Sequence, residues 1–312
     1  MITLFGESRA RAEWDALWGD LSAVTSIREF REMNGAHDGQ RVLRVETGGG
    51  LSVELLPDRL CDIGQVWLAG RPLGWTGPLG ANDPARARGN QTLYGLMTTC
   101  GFDHIRKPET AMGHAYPQHG SMMLQPARIR RAALCDADRV IRIEAEAVLF
   151  NLETGGMRLS RVIELPVGGT SIALHDRVEV LAHAQPVMAM YHCNFGPPLA
   201  GPDARLEQGG EDITAESLGV ADVTTRPVAQ SDGRAQVVLN APDGPRVTFS
   251  YDATALPVLQ TLRNPTPGIN LTCIEPASHA RLSRADLEAR GLLEPLPAGD
   301  SRAFDLTLTF EI

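Results

Sequence analysis

The chain has no run of about eighteen apolar residues, the length a membrane-spanning helix needs, so no membrane span is expected. It has no surplus of positive charge either. Against 29 Lys and Arg stand 38 Asp and Glu, a formal net charge of −9, which argues against a partner made of phosphates, nucleic acid or anionic lipid alike. Its five cysteines (Cys61, Cys100, Cys135, Cys193 and Cys273) are odd in number and show no CxxC spacing, so buried thiols in a reducing compartment are expected rather than a disulfide framework. The segment from Met1 to Trp14 meets Glu7, Arg9, Arg11 and Glu13 before any apolar run, unlike a secretory signal, and a cytoplasmic location follows as the expectation. Gly48-Gly49-Gly50 lies between two strand-like segments rather than before a helix, so it is no phosphate loop, and no G-x-S-x-G elbow occurs. No internal repeat, low-complexity tract or linker divides the 312 residues, and a single domain spanning 1–312 is expected.

What is present is alternation. Arg41-Val42-Leu43-Arg44-Val45-Glu46 and Leu51-Ser52-Val53-Glu54-Leu55 flank the glycines as a hairpin. Further strands are predicted at 140–148, 158–165, 171–180, 186–193, 235–240, 246–251, 269–275 and 303–311, punctuated by 31 Gly and 21 Pro. Many short strands with turn signals predict an all-β sandwich or barrel. Helical signals are few. One helix is predicted over 7–18, and a short one over 283–290, where Ser283 and Asp286 form a capping-box-like start and Gly291 a stop. The stretches 77–92 and 201–218 read as long loops, the kind that line ligand sites on a β scaffold.

Three residues stand out. His192 closes the apolar run Pro186-Val187-Met188-Ala189-Met190-Tyr191, and alternation puts it on one face with Met188, Met190 and Asn194. The plain alternative is a core histidine bonded to backbone. Glu275 ends Ile269-Asn270-Leu271-Thr272-Cys273-Ile274, where an unpaired carboxylate is costly and burial would lift its pKa towards that of a usable base. Satisfaction by a neighbouring arginine or backbone group is the alternative there. His119 sits in Pro117-Gln118-His119-Gly120, a turn that follows His104 and His114. The histidine separations of ten and five match neither H-E-x-x-H nor a zinc knuckle, so a loop presenting polar groups to a ligand is preferred to a metal site. In Pro57-Asp58-Arg59-Leu60-Cys61-Asp62, an Arg59–Asp62 structural pair stands beside a ligand-facing arginine. Trp67 and Trp75 follow, either of which could face a sugar ring.

Taken in order, Leu4-Phe5-Gly6, Leu56 to Gly64, Thr98 to Asp103, His119-Gly120, Tyr191 to Gly196 and Glu275-Pro276-Ala277 resemble the aldose 1-epimerase-like proteins of the galactose mutarotase superfamily, in particular a bacterial branch known as a domain of unknown function. The resemblance spans nearly the whole chain. It implies a large antiparallel β supersandwich and interconversion of α and β sugar anomers. By resemblance Glu275 is the general base, His192 the general acid and His119 a supporting histidine near the ring oxygen. Arg59, Asp62, Asp103 and Asn194 are the further candidates for substrate contact. A small-molecule sugar is the implied partner, with no metal or organic cofactor and no nucleic acid or membrane; a homodimer stays open. Two other readings are a non-catalytic carbohydrate-binding protein of the same fold, and a metal-dependent sugar isomerase using His119, His192 and Glu275 as ligands.

Overall fold

Alternating apolar residues become alternating burial in a computed structural model, which describes residues 1–78, 80, 93–111, 113–123, 125–135, 137, 139–219, 222–242 and 244–312. In Val140–Asn151, as far as Ala147, and throughout Ser171–Leu181 every second residue is buried, the pattern of a sheet with one face on the core and one in solvent. These strands belong to an antiparallel sheet of ten strands. Its path runs from Arg128–Cys135 through Val140–Asn151, Gly155–Pro166, Ser171–Leu181 and Ser301–Glu311 to Arg246–Asp252 and Arg234–Asn240. The predicted hairpin, Arg41–Glu46 paired with Leu51–Leu56, is the middle of a five-stranded sheet that continues into Asp62–Leu68. The fold is all-β and antiparallel, with few helices.

A second five-stranded sheet reads differently. Its order is Thr224–Pro227, Val258–Asn264, Leu271–Ala277, Met188–Phe195 and Met97–Phe102. Every residue of its last three strands is buried. A sheet covered on both faces is the reason, and it explains their near-continuous apolar composition. Along Met188–Phe195 the odd positions Ala189, Tyr191, Cys193 and Phe195 join the main hydrophobic cluster, which draws members from Ile2 to Phe310. Met188 and Met190, on the other face, join a small cluster with Cys100, Ile105, Leu287 and Leu293. His192 and Asn194 continue that second face, as alternation predicts.

Two predicted elements are corrected. The helix expected over 7–18 is Arg11–Trp18 only, because Glu7–Arg9 pairs back on Ile2–Leu4 across the Phe5-Gly6 turn. The stretch 201–218 is not a loop: Arg205–Gln208 adds to the ten-stranded sheet by pairing with Arg234–Asn240, and Thr214–Leu218 is a helix. Its alternation was too short to register as a strand. The loop expected over 77–92 lies outside the described residues from 81 onwards. The second predicted helix is present as Arg284–Ala289, where the Ser283 hydroxyl accepts from the Asp286 N–H. Among the described residues no helix is long and apolar enough to cross a membrane.

Candidate active site

The doubly covered sheet brings the polar positions of three strands to one cavity. Leu271, Cys273 and Glu275 come from one strand, Gln260, Leu262 and Asn264 from its neighbour on one side, and His192 from the strand on the other. The segments that flank the hairpin Glu109–Ala111/His114–Tyr116 add Arg106 and Lys107 before it and Gln118 and His119 after it. The cavity measures about 610 Å³, ample for a monosaccharide.

At its base the His192 Nε2 lies 3.4 Å from the Glu275 Oε1, with the glutamate 1% exposed. The other imidazole nitrogen donates: His192 Nδ1–H bonds the Asn194 Oδ1 at 2.7 Å, and the Asn194 Nδ2 donates back to the His192 carbonyl at 3.1 Å. Asn194 thereby fixes the ring with its Nε2 turned to Glu275. The second Glu275 oxygen, Oε2, accepts from the Gln260 Nε2, and the Gln260 Oε1 accepts from the Arg106 Nε at 2.8 Å. Arg106 is itself held by the carbonyls of Ala280 at 3.0 Å and His279 at 2.8 Å. Burial pushes its guanidinium down to about 10, against the pull of Glu275.

His119 reaches the same place from a strained turn. Its φ is 65°, and its backbone is pinned by donating to the Arg106 carbonyl at 2.7 Å and accepting from the Gly101 N–H at 2.8 Å. Gly120 follows at φ 89°; a Cβ there would lie 2.4 Å from the His104 carbonyl oxygen, so only glycine fits. The His119 ring meets that of His192 edge-on, centroids 5.5 Å apart. Burial first, then the nearby His192, His104 and Arg106, hold the His119 pKa down to about 3, so the ring is neutral. The Gln118 Nε2 lies 3.3 Å from its Nε2 as a donor, which places the ring proton on Nδ1, an atom with no hydrogen-bond partner among the described residues.

The structure thus gathers His119, His192 and Glu275. The four expected substrate contacts are placed otherwise. Asn194 lies behind His192, bonded to it and accepting from the Cys273 thiol at 3.7 Å. Asp62 is sequestered by Arg161 at 2.7 Å and by Thr99, away from the cavity, because its strand turns it into the core. Arg59 does not pair with it as the sequence suggested. Its buried Nη1 and Nη2 have no partner among the described residues, and burial lowers its pKa although the charge of Asp62 opposes this. Asp103 accepts from the Ser121 N–H at 2.8 Å and lines a separate cavity of about 470 Å³. Trp75 does line the site, its indole donating to the Ile269 carbonyl at 2.7 Å, whereas Trp67 lies under Arg44 elsewhere.

Arg106 and Gln260 were not foreseen. Gln260 carried the signal that exposed Glu275, a polar residue inside the apolar run Leu256 to Leu262, and the two are cross-strand partners. The expected alternative of three metal ligands is altered as well. Among the described residues the ligand atoms that cluster, within 4.8 Å of one another, are those of His192, Cys273 and Glu275, without His119. His104 bonds the Lys107 carbonyl through Nε2 at 2.6 Å, and His114 packs on Tyr116, so neither joins the group.

A family model described as a domain of unknown function, DUF4432, matches residues 37–222 and 220–310 of the chain. Solved structures share the fold at low identity. A "putative aldose 1-epimerase" from Klebsiella pneumoniae superposes with a TM-score of 0.78 at 21% identity, covering 92% of this chain and 83% of that one. A galactose mutarotase-like protein from Clostridium acetobutylicum gives 0.66 at 13%, covering 93% and 99%. The galactose 1-epimerase of Lactobacillus acidophilus gives 0.61 at 12%, covering 92% and 99%. No curated protein matches the chain.

Proposed function

The chain belongs to the DUF4432 family, and from that premise we propose that it is a sugar mutarotase, with Glu275 as general base, His192 as general acid and His119 as a neutral donor beside them. The observation that carries this reading is the contact of the His192 Nε2 with the Glu275 Oε1 at the base of one sugar-sized cavity. The anomeric hydroxyl and the ring oxygen of a pyranose hang on the same carbon. An acid and a base standing side by side can therefore address both at once.

Glu275 removes the proton of the anomeric hydroxyl while His192, protonated on Nε2, delivers its proton to the ring oxygen. The bond from C1 to the ring oxygen breaks as C1=O forms. Rotation about C1–C2 presents the other face of the aldehyde, and closure runs the two transfers backwards, so no proton is gained or lost. Each positioned group supplies about 10²–10⁴-fold, sufficient for a reaction that proceeds slowly in water. Trp75, Leu262, Ile269 and Leu271 supply the apolar wall that a sugar ring face prefers.

Magnetisation-exchange NMR on a panel of aldoses tests this. Wild-type protein accelerates anomer interconversion of at least one sugar and Glu275→Gln abolishes the acceleration; uncatalysed rates throughout the panel would sink the reading. Sugar binding without exchange, indifferent to Glu275→Gln, would instead favour a carbohydrate-binding protein. The clustering of His192, Cys273 and Glu275 supports a second reading, a metal-dependent isomerase. Metal analysis of protein purified without a nickel column separates the two.

A further inference from the structure

The cavity carries a charge opposite to that of the chain. In a protein of formal net charge −9, the described residues lining it include three permanent cations, Arg106, Lys107 and Arg281, and one carboxylate, Glu275. Glu275 is already engaged by His192 and Gln260. Neither Lys107 nor Arg281 meets a carboxylate among the described residues; Arg281 reaches only the Val223 carbonyl, at 3.4 Å. Arg281 also lies close enough to Arg106 to depress its pKa further, so like charges have been assembled rather than paired. Assembled cations repel one another, and an anion placed among them relieves that repulsion.

Arg106 and Arg281 stand near each other in the lining, Arg106 bound to the Ala280 and His279 carbonyls and Arg281 to that of Val223, while Trp75, Leu93, Ile269 and Leu271 are apolar. Lys107, next in sequence to Arg106, and Arg281 are exposed. A chain of contacts leads from Glu275 to these cations: Glu275 to Gln260, Gln260 to Arg106, and Arg106 to the field of Arg281. A sugar with its anomeric carbon at His192 and Glu275 would direct the substituent at its far end towards Lys107 and Arg281. Resting on the mutarotase reading of the same site, we infer that the substrate is an acidic sugar, an aldose bearing a carboxylate or phosphate remote from C1. Lys107 and Arg281 determine that specificity.

The test uses matched sets of aldohexoses, each with its 6-carboxylate and 6-phosphate, measured by NMR exchange and by calorimetry on the whole protein and on a Lys107→Gln, Arg281→Gln double variant. In at least one set the acidic member is expected to exceed its neutral parent in kcat/KM about ten-fold, the scale of two partly exposed ion pairs. The double variant narrows that ratio through KM, and added salt narrows it in the wild type. Whether the carboxylates or the phosphates lead identifies the anion. Neutral sugars exchanged as well as acidic ones, with a ratio that the double variant does not move, would overturn the inference and leave the mutarotase reading standing. Acidic sugars bound preferentially but not exchanged would support the inference and overturn the mutarotase reading. No preferential binding and no exchange would overturn both.

Discussion

Two clusters of buried polar side chains occupy this molecule, and they are built to opposite rules. In the first, the Arg161 guanidinium bonds Asp176 at 2.7 and 2.8 Å, Asp62 at 2.7 Å, the Thr99 hydroxyl at 2.8 Å and the Leu60 carbonyl at 3.1 Å. The Tyr191 hydroxyl donates to Asp176 at 2.7 Å. Those residues come from three sheets, so the network joins them, and its ionic members have no solvent contact to speak of. In the second, Glu275 and His192 stand side by side in a cavity wall, the Nδ1 of His119 has no partner among the described residues, and Arg106, Lys107 and Arg281 join the lining. The first cluster is closed upon itself, whereas the second borders a cavity. A buried charge whose partners are all internal holds a fold together; one whose remaining partners face a cavity is available for chemistry.

The difference can be broken from either side. Glu275→Gln is expected to lower the anomer exchange rate by about 10²–10⁴-fold while leaving thermal unfolding close to wild type. A variant that loses activity and stability together would erase the distinction. Arg161→Met strands Asp62 and Asp176 without a counter-charge, and removing one partner of a buried pair costs about 3–5 kcal/mol. Urea unfolding at pH 7 measures it. We propose that the chain unfolds as one unit, so the same experiment should show a single transition whose midpoint moves, not a new plateau.

Acid should act through two buried histidines, His119 in the cavity wall and His279 beside the Arg106 contact. Burial holds His279 down to about 4 and His119 to about 3, against an ordinary histidine value of 6.5. The unfolded chain therefore binds these protons at a pH where the folded chain does not. Stability is full above pH 6.5 and falls as pH drops through that value towards 4. His279→Gln should flatten the fall, by up to about 3 kcal/mol at pH 4, as followed by melting curves from pH 7 to 4; an unchanged slope would assign acid lability elsewhere. The smallest effect is expected at Asn194, a positioning residue that acts through His192. Asn194→Ala should cost roughly five- to ten-fold in kcat, the scale of one hydrogen bond. It should also change the tautomer of His192 seen by ¹⁵N NMR, a signature that mere loosening of the core would not give.

Much of this was legible in the sequence, for a physical reason. Alternation marks which face of a strand is buried, and a polar residue on that face announces itself, as His192 and Glu275 did. What alternation does not show is the partner. Asn194 stood out by the same rule and Asp62 as a charge among apolar residues after the first hairpin, yet one is bound by His192 and the other by Arg161, contacts made behind the site or across sheets. Arg161 and Asp176 passed unnoticed although both fall on the inward face, beside Leu159 and Ile163 and beside Leu174 and Val178, and pair directly across strands. Arg106 lay in a stretch read as turns, and only the folded loop carries it to Gln260. Nor does alternation give the distance between two such positions: the His192 Nε2 and the Glu275 Oε1 lie 3.4 Å apart, side by side and not separated by the width of a sugar ring.

A crystal structure with a bound sugar puts the central claim most directly at risk. The account predicts the anomeric oxygen within hydrogen-bond reach of a Glu275 carboxylate oxygen and the ring oxygen within reach of the His192 Nε2, with the ring face against Trp75. A sugar seated with its anomeric carbon turned away from both, or bound only in the cavity beside Asp103, would contradict it.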